Sequence, residues 1–234
     1  MQTRARIVYG RGMPAEPVTI PIPGTDAVSG LWQAPPNPKA CLVLAHGAGA
    51  GMTHRSMAAT ADGLEALGVA TLRYQFPYME KGGKRPDAPP VAHAAVRAAV
   101  AEARRRAPDL PLFAGGRSFG GRMTSQAQAK APLDGVRGLV FFAFPLHPAG
   151  KPSVERAPHL AEVTIPMLFL QGTNDALADL DLLRGVVSGL GGRATLCLAD
   201  DADHSFHVPA RTGRKDPEVL AGLLATAAGW MASH

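Results

Sequence analysis

The sequence predicts an α/β fold: a mostly parallel central sheet flanked by helices on both faces. Three observations predict it. Strand-like runs alternate with helix-like patterns along most of the 234 residues. Several strand runs, "KACLVLAHG" foremost, are apolar without interruption, as strands covered on both faces are. The segments that follow two of these strands are rich in glycine, "AHGAGAG" and "GGRSFGG".

The elements follow in order. "PVTIPIPG" and "VSGLWQAP" read as two short strands joined by a Gly-Thr-Asp turn, an antiparallel pair at one edge of the sheet. "KACLVLAHG" is the first buried strand. "HRSMAATADGLEALG" has apolar residues at helical spacing and ends on Gly68, a C-terminal cap. "VATLRYQF" is a strand, and "PYMEKGGKRPDAPP" a loop. "VAHAAVRAAVAEARRRA" is a helix, "LPLFAGG" a strand, and "SFGGRMTSQAQAKA" a helix beginning at Ser118. "VRGLVFFAFP" and "IPMLFLQGTND" are strands, and a helix lies around "ALADLDLLRGVVSGL". "RATLCLAD" is the last strand. The last helix covers "DPEVLAGLLATAAGWM", with Asp216 as N-cap and Pro217 at its first position.

The length suits one domain with its own core, residues 1–234, of which 1–16 form an N-terminal extension. There is no internal repeat and no dividing linker. Apolar residues make up 46% and charged residues 18%, a globular composition. No apolar run is long enough to span a bilayer, and "MQTRARIVYGRGMPAEP" lacks the apolar core of a signal peptide, so a cytoplasmic location is expected. The net charge is +5, but the basic residues are scattered. The densest run, "EARRRAPD", closes a helix, where cations favour the negative end of the dipole. Nucleic-acid binding is therefore not expected. Cys41 and Cys197 both fall in expected buried strands and read as free core thiols.

The chemistry is read from Gly116-Arg117-Ser118-Phe119-Gly120, a G-x-S-x-G pattern between a strand and a helix. A serine there sits on a sharp turn, and its neighbours two before and two after must be small. Gly121 lets the helix pack close to the strand. The turn lifts the hydroxyl above the sheet edge, beside free N–H groups at a helix N-terminus. A serine hydroxyl needs a base, and the base needs an acid to orient it. Asp175 follows the strand "IPMLFLQG" and His204 follows "RATLCLAD", in the order serine, acid, histidine. Asp179 and Asp181 are rival acids that fall on a helix. His207 is the rival base. Asp200, Asp201 and Asp203 suit capping or solvation of their loop. For the oxyanion hole, the N–H of Ala48, with Gly49 as its rival, pairs with the N–H of Phe119. His46 reads as a structural member of its turn, and His54 and Arg55 either line the pocket or cap the next helix, the cap being the plainer reading. Tyr74, Phe76, Tyr78, Leu146 and His147 fall in loops at the same edge, either as pocket walls or as ordinary packing.

The motifs "AHGAGAG", "GGRSFGG", "QGTND" and "ADHSF" resemble those of the α/β-hydrolase superfamily, over a stretch from about Val18 to the end. The resemblance is greatest to small lidless hydrolases of the dienelactone-hydrolase-like branch. "RYQFPYMEKGGKRPD" and "FPLHPAGKP" resemble a poorly characterised subgroup with human relatives in a chromatin-associated complex. Dienelactone hydrolases use a cysteine where this chain has Ser118, which argues for a general serine hydrolase. Only "LHPAGKPSVERAPHLAEVT" separates "VFFAFP" from "IPMLFL", leaving little room for a cap. The resemblance implies cleavage of small acyl esters or thioesters through an acyl-enzyme, with no cofactor and no metal. The expected partner is a small-molecule acyl substrate, without nucleic acid or membrane, and a homodimer stays open. Two other readings remain: a scaffold that keeps the fold without catalysis, and an acyltransferase or peptidase using the same residues.

Overall fold

The computed structural model describes residues 14–234. An eight-stranded sheet runs through it in the spatial order β1-β2-β4-β3-β5-β6-β7-β8. The strands are β1 (Glu16–Ile20), β2 (Val28–Gln33), β3 (Ala40–Ala45), β4 (Val69–Tyr74), β5 (Leu112–Arg117), β6 (Val136–Phe142), β7 (Met167–Gly172) and β8 (Ala194–Ala199). β1 pairs antiparallel with β2, and β2 antiparallel with β4; every other pairing is parallel. The opening pair thus forms one edge, as expected of two short strands joined by a turn.

Helices cover both faces: α1 (Arg55–Ala66), the short α2 (Pro77–Glu80), α3 (Pro89–Arg106), α4 (Phe119–Lys130), α5 (Leu180–Gly189) and α6 (Asp216–Ala232). The central strand β3 shows why its run has no polar residue. Cys41, Val43 and Ala45 face one core, with α3 and α4. Leu42 and Leu44 face the other, with α1 and α6. Alternate residues point to opposite faces, so a strand covered on both needs apolar residues at every position. No helix among the described residues is long and apolar enough to cross a membrane.

The strand order also fixes where a ligand can enter. From β3 the chain moves outward to β4, then back past β3 to β5 and on to β8. The loops leaving the C-terminal ends of β3 and β5 therefore diverge, and a crevice opens between them. Ala45 and Gly116 are paired at that point.

Several details differ from the sequence reading. α2 interrupts the segment expected as a continuous loop. It begins at Pro77, whose fixed φ suits a first helical turn. Cys41 is fully buried, and burial pushes its thiol up to about 12, but Cys197 on β8 is only half-buried because β8 is the far edge of the sheet. Asp216 is not the N-cap of α6. Lys215 holds that place, and its N–H donates to Glu218 Oε2 at 3.0 Å. The Asp216 carboxylate turns back to accept from Val208 N at 3.0 Å and from His207 Nδ1 at 2.9 Å.

That contact makes stability depend on pH. The Asp216 carboxylate raises the pKa of His207 above its ordinary 6.5. The Val208 N–H, and then His207, lower that of Asp216 below 3.8. The histidine contribution is present below its unfolded value and fades as pH rises through the folded one. The aspartate contribution is lost as pH falls through its own folded value. The Tm gap between the native chain and His207→Ala should be widest near about pH 5 to 6, narrow by about pH 8, and shrink in molar salt. A gap that widens toward alkaline pH would contradict the assignment. Gly185 offers a second check on stability, since a side chain there would meet nothing within 4 Å. Inside α5, Gly185→Ala should stabilise by about 0.5–1 kcal/mol, seen as a Tm rise of about 2 °C.

Candidate active site

Ser118 stands at the junction of β5 and α4 with φ 49° and ψ −117°. A non-glycine residue in that region costs of order 1–3 kcal/mol and persists only where its surroundings enforce it. Here its N–H donates to Phe142 O at 3.0 Å, and its carbonyl accepts from Arg122 N at 3.1 Å. The glycines explain the rest. A Cβ on Gly116 would overlap the carbonyl oxygen of Ala45. On Gly120 it would lie 2.5 Å from His46 O, and on Gly121 2.8 Å from Gly116 O. β3 and the start of α4 are thus at backbone contact, which fixes the height of the serine above the sheet.

Three of the residues singled out in the sequence meet. His204 Nε2 lies 2.9 Å from Ser118 Oγ, and His204 Nδ1 lies 2.7 Å from Asp175 Oδ2. A carboxylate only accepts, so Nδ1 carries the proton and Nε2 is left to accept from the serine hydroxyl. The Asp175 side chain has no exposure, whereas that of His204 is 25% exposed. Asp175 is itself held: Leu177 N donates to Oδ1 at 2.8 Å, and Gln171 Nε2 to Oδ2.

His204 and His207 part company because of the turn between them. Asp203 Oδ1 accepts from Ser205 N at 2.7 Å and from His207 N at 3.0 Å, while Asp203 N donates to His207 O at 2.9 Å. Phe206, at φ 62°, is buried under this turn. The turn sends His204 inward and His207 out to Asp216. Arg117 locks it: its guanidinium donates to His204 O at 2.8 Å and lies 5.3 Å from the centre of the Phe206 ring. Burial lowers the Arg117 pKa, and the carboxylates of Asp175 and Asp203 raise it again. Gln171 and Arg117 were not singled out in the sequence. Arg117 occupies a variable position of the serine motif, and nothing in the pattern says where its long side chain goes. Gln171 had one signal, a polar residue at the end of an otherwise apolar strand.

The glycine-rich loop after β3 is held at two successive carbonyls. The ring of His46 is buried; its Nδ1 donates to Gly47 O at 2.7 Å and its Nε2 accepts from Phe76 N at 3.0 Å. Burial lowers its pKa, partly offset by the Gly47 carbonyl, and the ring is neutral and structural, as the sequence suggests. Tyr78 Oη donates to Ala48 O at 2.7 Å. In a trans peptide the N–H points opposite to the C=O. Fixing Gly47 O therefore aims the Ala48 N–H away from His46, and fixing Ala48 O does the same for Gly49. Gly47 lies beside Ser118: a Cβ there would be 3.8 Å from Ser118 Cβ. On the other side, the Phe119 N–H opens α4, where the first turn has no helical acceptors. The Phe119 ring packs edge-on against Phe76 at 5.3 Å.

The remaining residues fall into place around this site. His54 caps α1 by accepting from Ser56 N at 3.2 Å, and Arg55 is exposed. Asp179 caps α5 by accepting from Leu182 N at 3.0 Å, while Asp181 pairs with Arg184 on its surface. Tyr74, Phe76 and Leu146 are fully buried core residues. His147 is structural as well: its Nδ1 donates to Pro148 O at 2.9 Å, and its Nε2 accepts from Asp179 N at 2.7 Å.

Solved structures share this architecture. A serine hydrolase homologue from Coxiella burnetii superposes with a TM-score of 0.71 at 18% identity, covering 96% of this chain and 99% of that one. A dienelactone hydrolase from Anabaena variabilis gives 0.73 at 18%, covering 94% and 97%. A lidless serine hydrolase from Xanthomonas campestris gives 0.70 at 21%, covering 93% and 95%. At such identities these likenesses establish the fold. Residues 38–232 match the family described as "Alpha/beta hydrolase domain", from the start of β3 through α6. With most of its length inside that match, the chain belongs to the α/β-hydrolase family.

Proposed function

We propose that this protein is a serine hydrolase that cleaves small acyl esters or thioesters. The observation that carries the reading is the unbroken hydrogen-bonded line from Ser118 Oγ through His204 to Asp175. Ser118 Oγ attacks the acyl carbonyl as His204 Nε2 takes its proton. Asp175 keeps Nδ1 protonated and stabilises the imidazolium that forms. The N–H groups of Ala48 and Phe119 donate to the oxyanion. The imidazolium then returns its proton to the leaving alkoxide or thiolate, leaving an acyl-Ser118 ester. Water, deprotonated by the same imidazole, attacks that ester and releases the carboxylic acid.

The family fold alone does not establish an activity. A scaffold, however, gains nothing from a serine held at φ 49° with its hydroxyl 2.9 Å from an imidazole nitrogen. The connection between β6 and β7 contains a single 3₁₀ turn, Pro158–Glu162, so an open site for small or flexible substrates fits better than a lipid interface. The subgroup likeness in "RYQFPYMEKGGKRPD" and "FPLHPAGKP" belongs to the same reading, since the first contains Tyr78, the clamp on Ala48.

A fluorophosphonate probe should label the native chain at Ser118 and should not label Ser118→Ala; undiminished labelling of that variant would refute the nucleophile. In turnover of an activated butyrate ester, His204→Ala should lose at least about 10³-fold in kcat, whereas His207→Ala should stay within a few-fold. The reverse order would mean the base is misassigned. Tyr78→Phe removes only the hydroxyl that clamps Ala48. It frees the Ala48–Gly49 peptide, which adjoins the one that carries the Ala48 N–H, and is expected to lower kcat about tenfold with little change in KM, since loosening the loop around an oxyanion donor weakens the transition state alone. A rise in KM at constant kcat would instead make Tyr78 a pocket wall.

A further inference from the structure

Seven arginines of the described chain are buried or half-buried, and five of them have an acceptor. Arg73 donates to Gln33, Arg97 to the carbonyls of Ala127 and Ala131, Arg106 to Glu102, Arg117 to His204 O, and Arg193 to Val163 O. The other two are Arg122 and Arg156. Neither guanidinium donates a hydrogen bond, pairs with a carboxylate or stacks on a ring among the described residues. Arg122 Nε is shut off from solvent with no partner among the described residues. Residues 1–13 contain no aspartate or glutamate that could serve as a counter-ion. Burial lowers the Arg122 pKa first, and the like charge of Arg156 lowers it further.

Their place in the fold is specific. Arg122 lies one turn beyond Ser118 on α4, its N–H bonded to Ser118 O at 3.1 Å. One turn advances about 5.4 Å, and side chains on a helix lean toward its N-terminus, here toward the serine. The loop leaving β6 carries Arg156 and is pinned to α4 by His159 Nε2 and Ser125 Oγ at 2.7 Å. His159 supplies no negative charge. Its burial, and then the Arg122 cation, push its pKa down to about 4. Half-burying two like charges without an anion is unfavourable, and local rules of charge pairing are broken mainly at functional sites.

We propose that Arg122 and Arg156 form an anion receptor beside the nucleophile, and that the preferred substrate is an ester or thioester whose acyl chain ends in a carboxylate. This rests on the serine-hydrolase reading. The leaving group must sit against His204, which protonates it. The acyl portion is what stays on Ser118, at the head of the helix that carries Arg122.

The test compares monoethyl glutarate with ethyl pentanoate by pH-stat titration, using the native chain, Arg122→Gln, Arg122→Lys and Arg156→Gln. The native chain should favour the half-ester in kcat/KM. That preference should fall at least tenfold in Arg122→Gln and in Arg156→Gln, mostly through KM, and return in part with Arg122→Lys. Glutarate, at about ten times its Kd, should raise the native Tm by about 3 °C and leave that of Arg122→Gln unmoved. The unliganded Tm of Arg122→Gln should equal or exceed the native value; a large drop would mean a structural arginine and overturn the proposal. Cleavage of ethyl pentanoate without preference for the half-ester, or a preference that survives both glutamine variants, overturns the receptor and leaves the hydrolase intact. An Arg122-dependent glutarate shift with no cleavage of either ester supports the receptor and overturns the hydrolase.

Discussion

The close approach of β3 to the turn after β5 is the constraint on which the site depends. Ala45 and Gly116 are paired in register, and neither Gly116 nor Gly120 has room for a Cβ against the backbone of Ala45 and His46. That contact holds Ser118 at a φ it would not otherwise adopt. It also brings the two loops that diverge from β3 and β5 to one point, so that a loop amide and the first N–H of α4 can face the same atom. The strain at the serine and the shape of the proposed oxyanion site have one origin.

The remaining parts are placed by hydrogen bonds that fix orientation more than they add stability. Asp175 has three donors, two of them from its own neighbourhood in the chain, so its acceptor capacity is directed before His204 arrives. His46 and Tyr78 hold two carbonyls in succession and join the aromatic cluster that includes Phe119. The two sides of the proposed oxyanion hole are thereby packed against each other. A preorganised site of this kind requires little reorganisation when charge develops.

Much of this was legible in the sequence, because its signals are local. Strand β3 announces itself by six buried apolar residues in a row, and the serine turn by glycines whose absent side chains the backbone contact demands. Placing Asp175 and His204 needed only their positions after β7 and β8. The choice between His204 and His207 rested on nearness to the strand end; the decisive features, Asp203 bonding back to its own turn and Asp216 drawing His207 outward, are contacts between segments. Asp216 itself looked like a helix cap because aspartate before proline is a common start signal, yet tertiary bonds to Val208 and His207 claimed the carboxylate. Arg122 was invisible for a like reason, since a missing counter-ion is a property of three-dimensional surroundings.

Arg117 has a further consequence. The position between Gly116 and Ser118 looks free in the motif, but its guanidinium ties the loop of His204 to the end of β5, next to Ser118, and the Phe206 ring lies beneath it. Ser118 and His204 are thus parts of one mechanical body. Opening of the loop after β8 cannot proceed without breaking a hydrogen bond to the serine turn itself. The loop's amides should therefore exchange with solvent more slowly than those of a loop without this tie, and a lysine at 117, with its single point charge, could not make the same planar contact with carbonyl and ring together.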